Sequence, residues 1–152
     1  DNDVTSLFND LKLPQLNFKN INDFKQYCKK ILELTSCPEI NFIYAIILFI
    51  RFLKKSKIVL DYNNVIKLIL IGNLISSKIL DDDYYCNSLW SLKSSIYLYD
   101  LNRLEWEFFT VLAGDLNVSK SELIETYQHI IGYLKYRNLI KDKEQVILPI
   151  FQ

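Results

Sequence analysis

The stretch Asn63–Leu80, NNVIKLILIGNLISSKIL, decides the fold class. It is apolar for most of its length, and Asp61 stands just before it as a residue that can cap a helix start. Gly72 and Ser76 are four residues apart, with Ser77 alongside, so one face carries small side chains on which a neighbouring helix can approach closely. Such a helix belongs at the centre of a bundle. Just upstream, Asn41–Leu53 is apolar nearly all the way round, which again marks a central helix. Arg51, Lys54, Lys55 and Lys57 gather at its C-terminal end, where cations oppose the helix dipole favourably.

Working outward, Ile21–Leu34 places apolar residues in steps of three and four, the mark of an amphipathic helix. It stops ahead of Cys37-Pro38, because proline pushes its predecessor out of the α region. Leu7, Phe8 and Leu11 allow one short helix before Pro14. Downstream, Asp81-Asp82-Asp83 ends the central helix and offers a start for the next, near Tyr85–Leu92. The run Asp81–Asp83 reads as a solvated helix-terminal cluster, since consecutive carboxylates point in different directions. A longer helix covers about Tyr99–Leu112 and ends toward Gly114, a natural left-handed position. Ser119-Lys120-Ser121-Glu122 fits a capping box and opens a helix reaching about Tyr136. Gln145–Phe151 is an apolar extended run containing Pro149. The reading is one all-α domain of six or seven helices with no internal linker.

Composition agrees. Of 152 residues, half are apolar and 24% charged, enough for one domain with a hydrophobic core. Three Gly and three Pro are few for a turn-rich β fold. The 18 Lys and Arg balance the 18 Asp and Glu, which disfavours a nucleic-acid binder coating phosphates. The longest uncharged apolar stretch, Ile40–Ile50, is about half a bilayer span, so no membrane is expected. No secretory leader opens the sequence, and three unpaired-looking cysteines, Cys28, Cys37 and Cys86, suit free thiols in a reducing, intracellular compartment, cytoplasmic or nuclear. A chain without Met that opens on Asp1 reads as a piece of something longer.

Catalytic and metal-binding chemistry finds little support. His129 is the sole histidine, and with the cysteines it offers no close ligand pair for zinc. The glycines stand singly at 72, 114 and 132, so no phosphate loop exists. No nucleophile, base and oxyanion site assembles. The expectation is a protein that is not an enzyme, with no metal, cofactor or small-molecule substrate. One constellation stands out instead. Ile75, Lys78 and Ile79 share a face at i, i+3, i+4, and Glu105 and Phe109 share another at i, i+4, with Leu116 just beyond. A Lys and a Glu within apolar stripes must find each other, backbone groups or water. They form either an internal salt bridge between two core helices or a pair with spare hydrogen-bonding capacity, presented to a partner in an apolar groove.

The stretch Lys78–Phe109 resembles a cyclin box, most like the P/U-type cyclins related to phosphate-signalling regulators. The resemblance rests on Ser76-Ser77-Lys78, Asp81-Asp82, Tyr85, Asn87, Trp90 and the segment Leu101-Asn102-Arg103-Leu104-Glu105-Trp106-Glu107-Phe108-Phe109. Leu116-Asn117-Val118-Ser119 through Tyr127 is similar to the helix start that follows in that family. There are departures. Lys30 stands where Arg is usual, Ile50 replaces an Asp beside the matching Arg51, and Ser94-Ser95 replaces Gly-Gly. The family's Asp and Arg belong to an internal polar network, so the Lys30 and Ile50 changes look linked: without the carboxylate, a bidentate Arg has no purpose.

The resemblance implies a five-helix cyclin box over residues 20–137, an N-terminal extension over 1–19 carrying one helix, and a C-terminal tail over 138–152. It further implies a non-catalytic regulatory subunit that binds and activates a cyclin-dependent protein kinase by holding the kinase's αC helix inward. Lys78 and Glu105 would bond backbone groups beside that helix, and Ile75, Ile79, Phe109 and Leu116 would form the wall it lies against. The competing readings are a cyclin-fold domain serving transcription, a scaffold that does not activate a kinase, and a small helical enzyme.

Overall fold

The computed structural model describes residues 6–139, and every regular element among them is an α-helix. Seven occur there: α1 (Ser6–Asp10), α2 (Ile21–Leu32), α3 (Pro38–Lys55), α4 (Tyr62–Leu80), α5 (Asn87–Ser94), α6 (Leu98–Leu112) and α7 (Lys120–Tyr136). The chain divides into two units: residues 1–116, holding α1–α6, and residues 117–152, holding α7. The apolar run expected at Gln145–Phe151 lies outside the described residues.

Local chemistry sets the helix starts. Asn20, Asp61 and Ser119 each accept a hydrogen bond from the backbone N–H three residues on, leaving fewer of the orphan donors that every helix N-terminus carries. Helix α3 begins three residues earlier than its apolar pattern suggests, because Pro38 takes the first helical turn, where a missing N–H costs nothing. The same proline therefore closes off the preceding segment and opens the next helix. Helix α5 starts two residues later than expected, with Cys86 at its N-cap.

One expectation needs correction. Asp81–Asp83 is not uniformly solvated: Asp82 and Asp83 are exposed, but Asp81 is buried. Asp81 accepts from the Ser36 backbone N–H at 3.1 Å, from the Ser36 hydroxyl, and from Asn41 Nδ2 at 3.3 Å. Its charge caps the α2–α3 turn from the end of α4, so it acts as a structural tie.

Helices α3 and α4 are the two central elements. A Cβ placed on Gly72 would stand 3.1 Å from the Ala45 carbonyl oxygen and 3.2 Å from the Ala45 Cβ, so the glycine permits the close crossing its spacing implied. Ser76 and Ser77 are fully buried and turn their hydroxyls back to the Asn73 and Leu74 carbonyls. Helix α4 is, among the described residues, the one helix long and apolar enough to cross a membrane; two thirds of it is buried inside the protein. Short α1 docks on the core through Phe8, which is fully buried with its ring 4.8 Å from Phe52 of α3 and 6.3 Å from Phe108 of α6. Phe52 and Phe108 stack in parallel at 4.7 Å. Beneath α1, the fully buried Lys67 of α4 donates to the Phe8 carbonyl.

Ser94 and Ser95 stand where the resemblance would place two glycines. Ser94 is fully buried, and its carbonyl accepts from the Tyr27 hydroxyl at 3.0 Å, tying α2 to α5. Ser95 closes α5 at φ 60°, ψ 30°, a left-handed conformation that glycine adopts without a Cβ penalty. The geometry persists here without the glycine. Ser95→Gly should therefore raise stability by about 0.5–1 kcal/mol, the relieved strain exceeding the extra unfolded-state freedom. Urea unfolding reads this directly; a loss on substitution would mean Ser95 makes compensating bonds that outweigh its strain. Helix α6 ends in the same way, with Ala113 and then Gly114 both at positive φ.

Candidate functional site

The last turns of α4 carry Ile75, Lys78 and Ile79 toward α6, whose facing side carries Asn102, Glu105, Trp106 and Phe109. Between them lies an open groove of about 380 Å³, closed at one end by Leu116. All six residues singled out from sequence, Ile75, Lys78, Ile79, Glu105, Phe109 and Leu116, line this one groove. Ile75 forms its buried floor, whereas Ile79 and Phe109 are each about two-fifths exposed, 41% and 43%. Lys78 Nζ donates to Glu105 Oε2 at 2.7 Å, and both side chains remain partly open to solvent. An ion pair in that setting contributes about 0–1 kcal/mol to folding, so stability alone gives little reason to place it on an apolar face.

Asn87, at the first position of α5, was not singled out by spacing. Its Nδ2 donates to Glu105 Oε1 at 3.1 Å and to Asn102 Oδ1 at 2.7 Å. Both oxygens of Glu105 are thus engaged, one by Lys78 and one by Asn87. Asn102 sits one turn before Glu105 on α6, and Trp106, 69% exposed, stacks against Phe109 at 6.2 Å to form the groove's outer ridge. On the far side of that ridge a second hollow, about 470 Å³, runs between α6 and α1, walled by Tyr99, Arg103, Thr110 and Leu7. The Arg103 guanidinium lies 5.1 Å from the Tyr99 ring centre, in cation–π range.

The end wall is strapped to α3. Tyr44 donates its hydroxyl hydrogen to the Leu116 carbonyl. Arg51 Nη1 donates to the Asp115 carbonyl at 3.0 Å and stands 3.3 Å from Asp115 Oδ1. Lys55 Nζ bonds Asp115 Oδ2 at 3.1 Å and the Leu112 carbonyl at 3.2 Å. The Lys55 bond, reinforced by the Arg51 charge, holds the Asp115 carboxyl below the usual carboxylate range. Lys30 and Ile50 are both exposed, and Arg51 finds its carboxylate in Asp115, from a different part of the chain.

The remaining candidates are placed elsewhere. His129 lies on the exposed surface of α7 with Nε2 3.9 Å from Glu125 Oε1, one turn away. Cys28, Cys37 and Cys86 are all free thiols. Among the described residues no three His, Cys, Asp or Glu side chains gather as a metal-ligand cluster.

Among the described residues, an all-helical fold thus bears a surface groove, largely apolar and marked by a Lys–Glu–Asn cluster. The family model described as Cyclin matches residues 9–116, and the chain belongs to the cyclin family. It is similar to Cyclin-U4-2 of Arabidopsis thaliana, 29% identical over 131 residues that make up 86% of this chain and 56% of that protein. Cyclin-U4-1 of the same plant is 25% identical over 95% of this chain and 67% of its own length. PHO85 cyclin-6 of Saccharomyces cerevisiae is 38% identical over 65 residues, 43% of this chain and 16% of that protein. The chain thus spans about half to two thirds of the two plant relatives. No solved structure matches it significantly.

Proposed function

We propose that this domain is a regulatory subunit, without catalysis of its own, that binds a cyclin-dependent protein kinase and holds the kinase's αC helix inward. The observation that carries this reading is the convergence of Ile75, Lys78, Ile79, Glu105, Phe109 and Leu116 on one open groove. The similarity to PHO85 cyclins supports the same class of partner. In this reading the αC helix lies along the apolar wall, and Lys78 and Glu105 bond backbone groups beside it. Phosphoryl transfer needs the kinase's strand-borne Lys paired with the αC Glu and its metal-binding Asp in place. A subunit that binds only the inward helix shifts the population toward that arrangement by its differential affinity.

The test is affinity capture from a native lysate with the 152-residue chain, followed by identification of the bound kinase and its activity. Lys78→Ala and Glu105→Ala should keep the wild-type helical signal and melting temperature within a few degrees. Each should weaken kinase binding by about 1–3 kcal/mol, or roughly five- to 150-fold. Retention of the kinase by both variants at the wild-type level would reject the reading, as would capture of no kinase by the wild type.

A further inference from the structure

The groove's carboxylate is held by more than its cation, and the third group has an unusual hydrogen-bond balance. Asn87 spends its amide nitrogen twice, on Glu105 Oε1 at 3.1 Å and on Asn102 Oδ1 at 2.7 Å, while its own Oδ1 is buried without a partner. Buried polar atoms in native proteins are nearly always paired, so an amide placed for local structure would satisfy both of its ends. Here only the donor end is used.

We propose that Asn87 is a positioning residue for the partner-binding groove: its amide fixes Glu105 so that Lys78 keeps unspent donors for the incoming protein. The inference rests on the kinase-binding reading above. A glutamate on a helix has three side-chain torsions, and alone with a lysine it can take the ammonium on both oxygens or swing out to water. The bond to Asn87 commits Oε1, so Lys78 meets Oε2 alone and spends one of its three N–H groups. The cluster therefore presents donors in excess, and it fits a partner that offers backbone carbonyl oxygens at the groove's rim. Asn102 completes the device by anchoring the amide from the same helix that carries Glu105.

The experiment is a double-mutant cycle, read as the dissociation constant for the kinase recovered with the wild-type domain. Asn87→Ala should weaken binding roughly five- to twentyfold while leaving the melting temperature nearly unchanged. In a Glu105→Ala background the same change should cost less than about twofold, because its effect passes through the carboxylate. Asn87→Asp, equal in shape but unable to donate and repelling Glu105, should bind at least as weakly as Asn87→Ala; it provides the test if the alanine variant folds poorly. Wild-type binding by both Asn87 variants, or an Asn87 loss that simply adds to Glu105→Ala, would overturn the assignment, provided Lys78→Ala is impaired. Should Lys78→Ala itself bind normally, the groove reading fails first and the Asn87 role falls with it.

Discussion

Phe8→Ala should destabilise the domain by about 3–5 kcal/mol, the range for emptying a fully buried aromatic site. Helix α1 is only five residues long and could not persist alone. It is held by what it inserts: the Phe8 ring fits beside Phe52 and Phe108, and its backbone carbonyl accepts a hydrogen bond from a buried lysine. Removing the ring leaves a cavity beside Phe52 and Phe108 and loosens the segment that shields Lys67. Guanidinium unfolding would read the loss. A change below about 1 kcal/mol would show that α1 rests on the core without belonging to it.

The second large effect is a pH dependence. Lys67 is fully buried, and burial together with the charge of Lys12 pushes its ammonium pKa down to about 8, although Asp61, Glu107 and Asp10 pull the other way. Below pH 8 the lysine is protonated in both folded and unfolded chains, so its burial handicap is present in full and does not vary. Between about pH 8 and the ordinary lysine value the unfolded chain holds the extra proton, and stability rises with pH. From pH 7.5 to 9.5 the rise from this one group should be on the order of 2 kcal/mol. Tyr27 and Cys28 act in the opposite sense. Burial raises both, so the unfolded chain loses their protons first and stability falls as their unfolded values are passed. The difference between wild type and Lys67→Met isolates the lysine. The variant should lack the alkaline rise, and its advantage over wild type should be largest near pH 7 and shrink by pH 9.5. Parallel stability curves for the two proteins would refute a charged, buried Lys67 at neutral pH.

Helix existence was legible in the sequence because it depends on local spacing. Ile21, Phe24, Tyr27 and Ile31 give α2, and Ser119 with Glu122 gives the start of α7. Boundaries shifted where one residue served two purposes, as Pro38 does. The groove was half legible. The i, i+3, i+4 set on α4 and the i, i+4 pair on α6 follow from helical geometry alone; a Lys–Glu meeting was one outcome their apolar setting allowed, and the cyclin resemblance implied the same pairing. Asn87 was legible only as a residue carrying the cyclin resemblance; its pairing with Glu105 was not, because that partner lies 18 residues away on another helix and the pairing obeys no period. Lys67 escaped for a stronger reason: the acceptor that makes its burial possible is a backbone carbonyl 59 residues distant, which no residue type announces. Asp115 was likewise invisible as the carboxylate for Arg51, since it lies 64 residues further on and no period links the two.

Helices α4 and α6 divide their labour by face. On α6, Leu101, Leu104, Phe108 and Leu112 are fully buried, while Asn102, Trp106 and Phe109 look outward. Outward positions can drift under selection for a new companion without eroding the interior, which is the condition for one scaffold to radiate into many pairings. Ile75 is the exception, at 5% exposure both groove floor and core wall. A lineage exchanging companions would be expected to rewrite Trp106 and Phe109 freely and to leave that isoleucine alone.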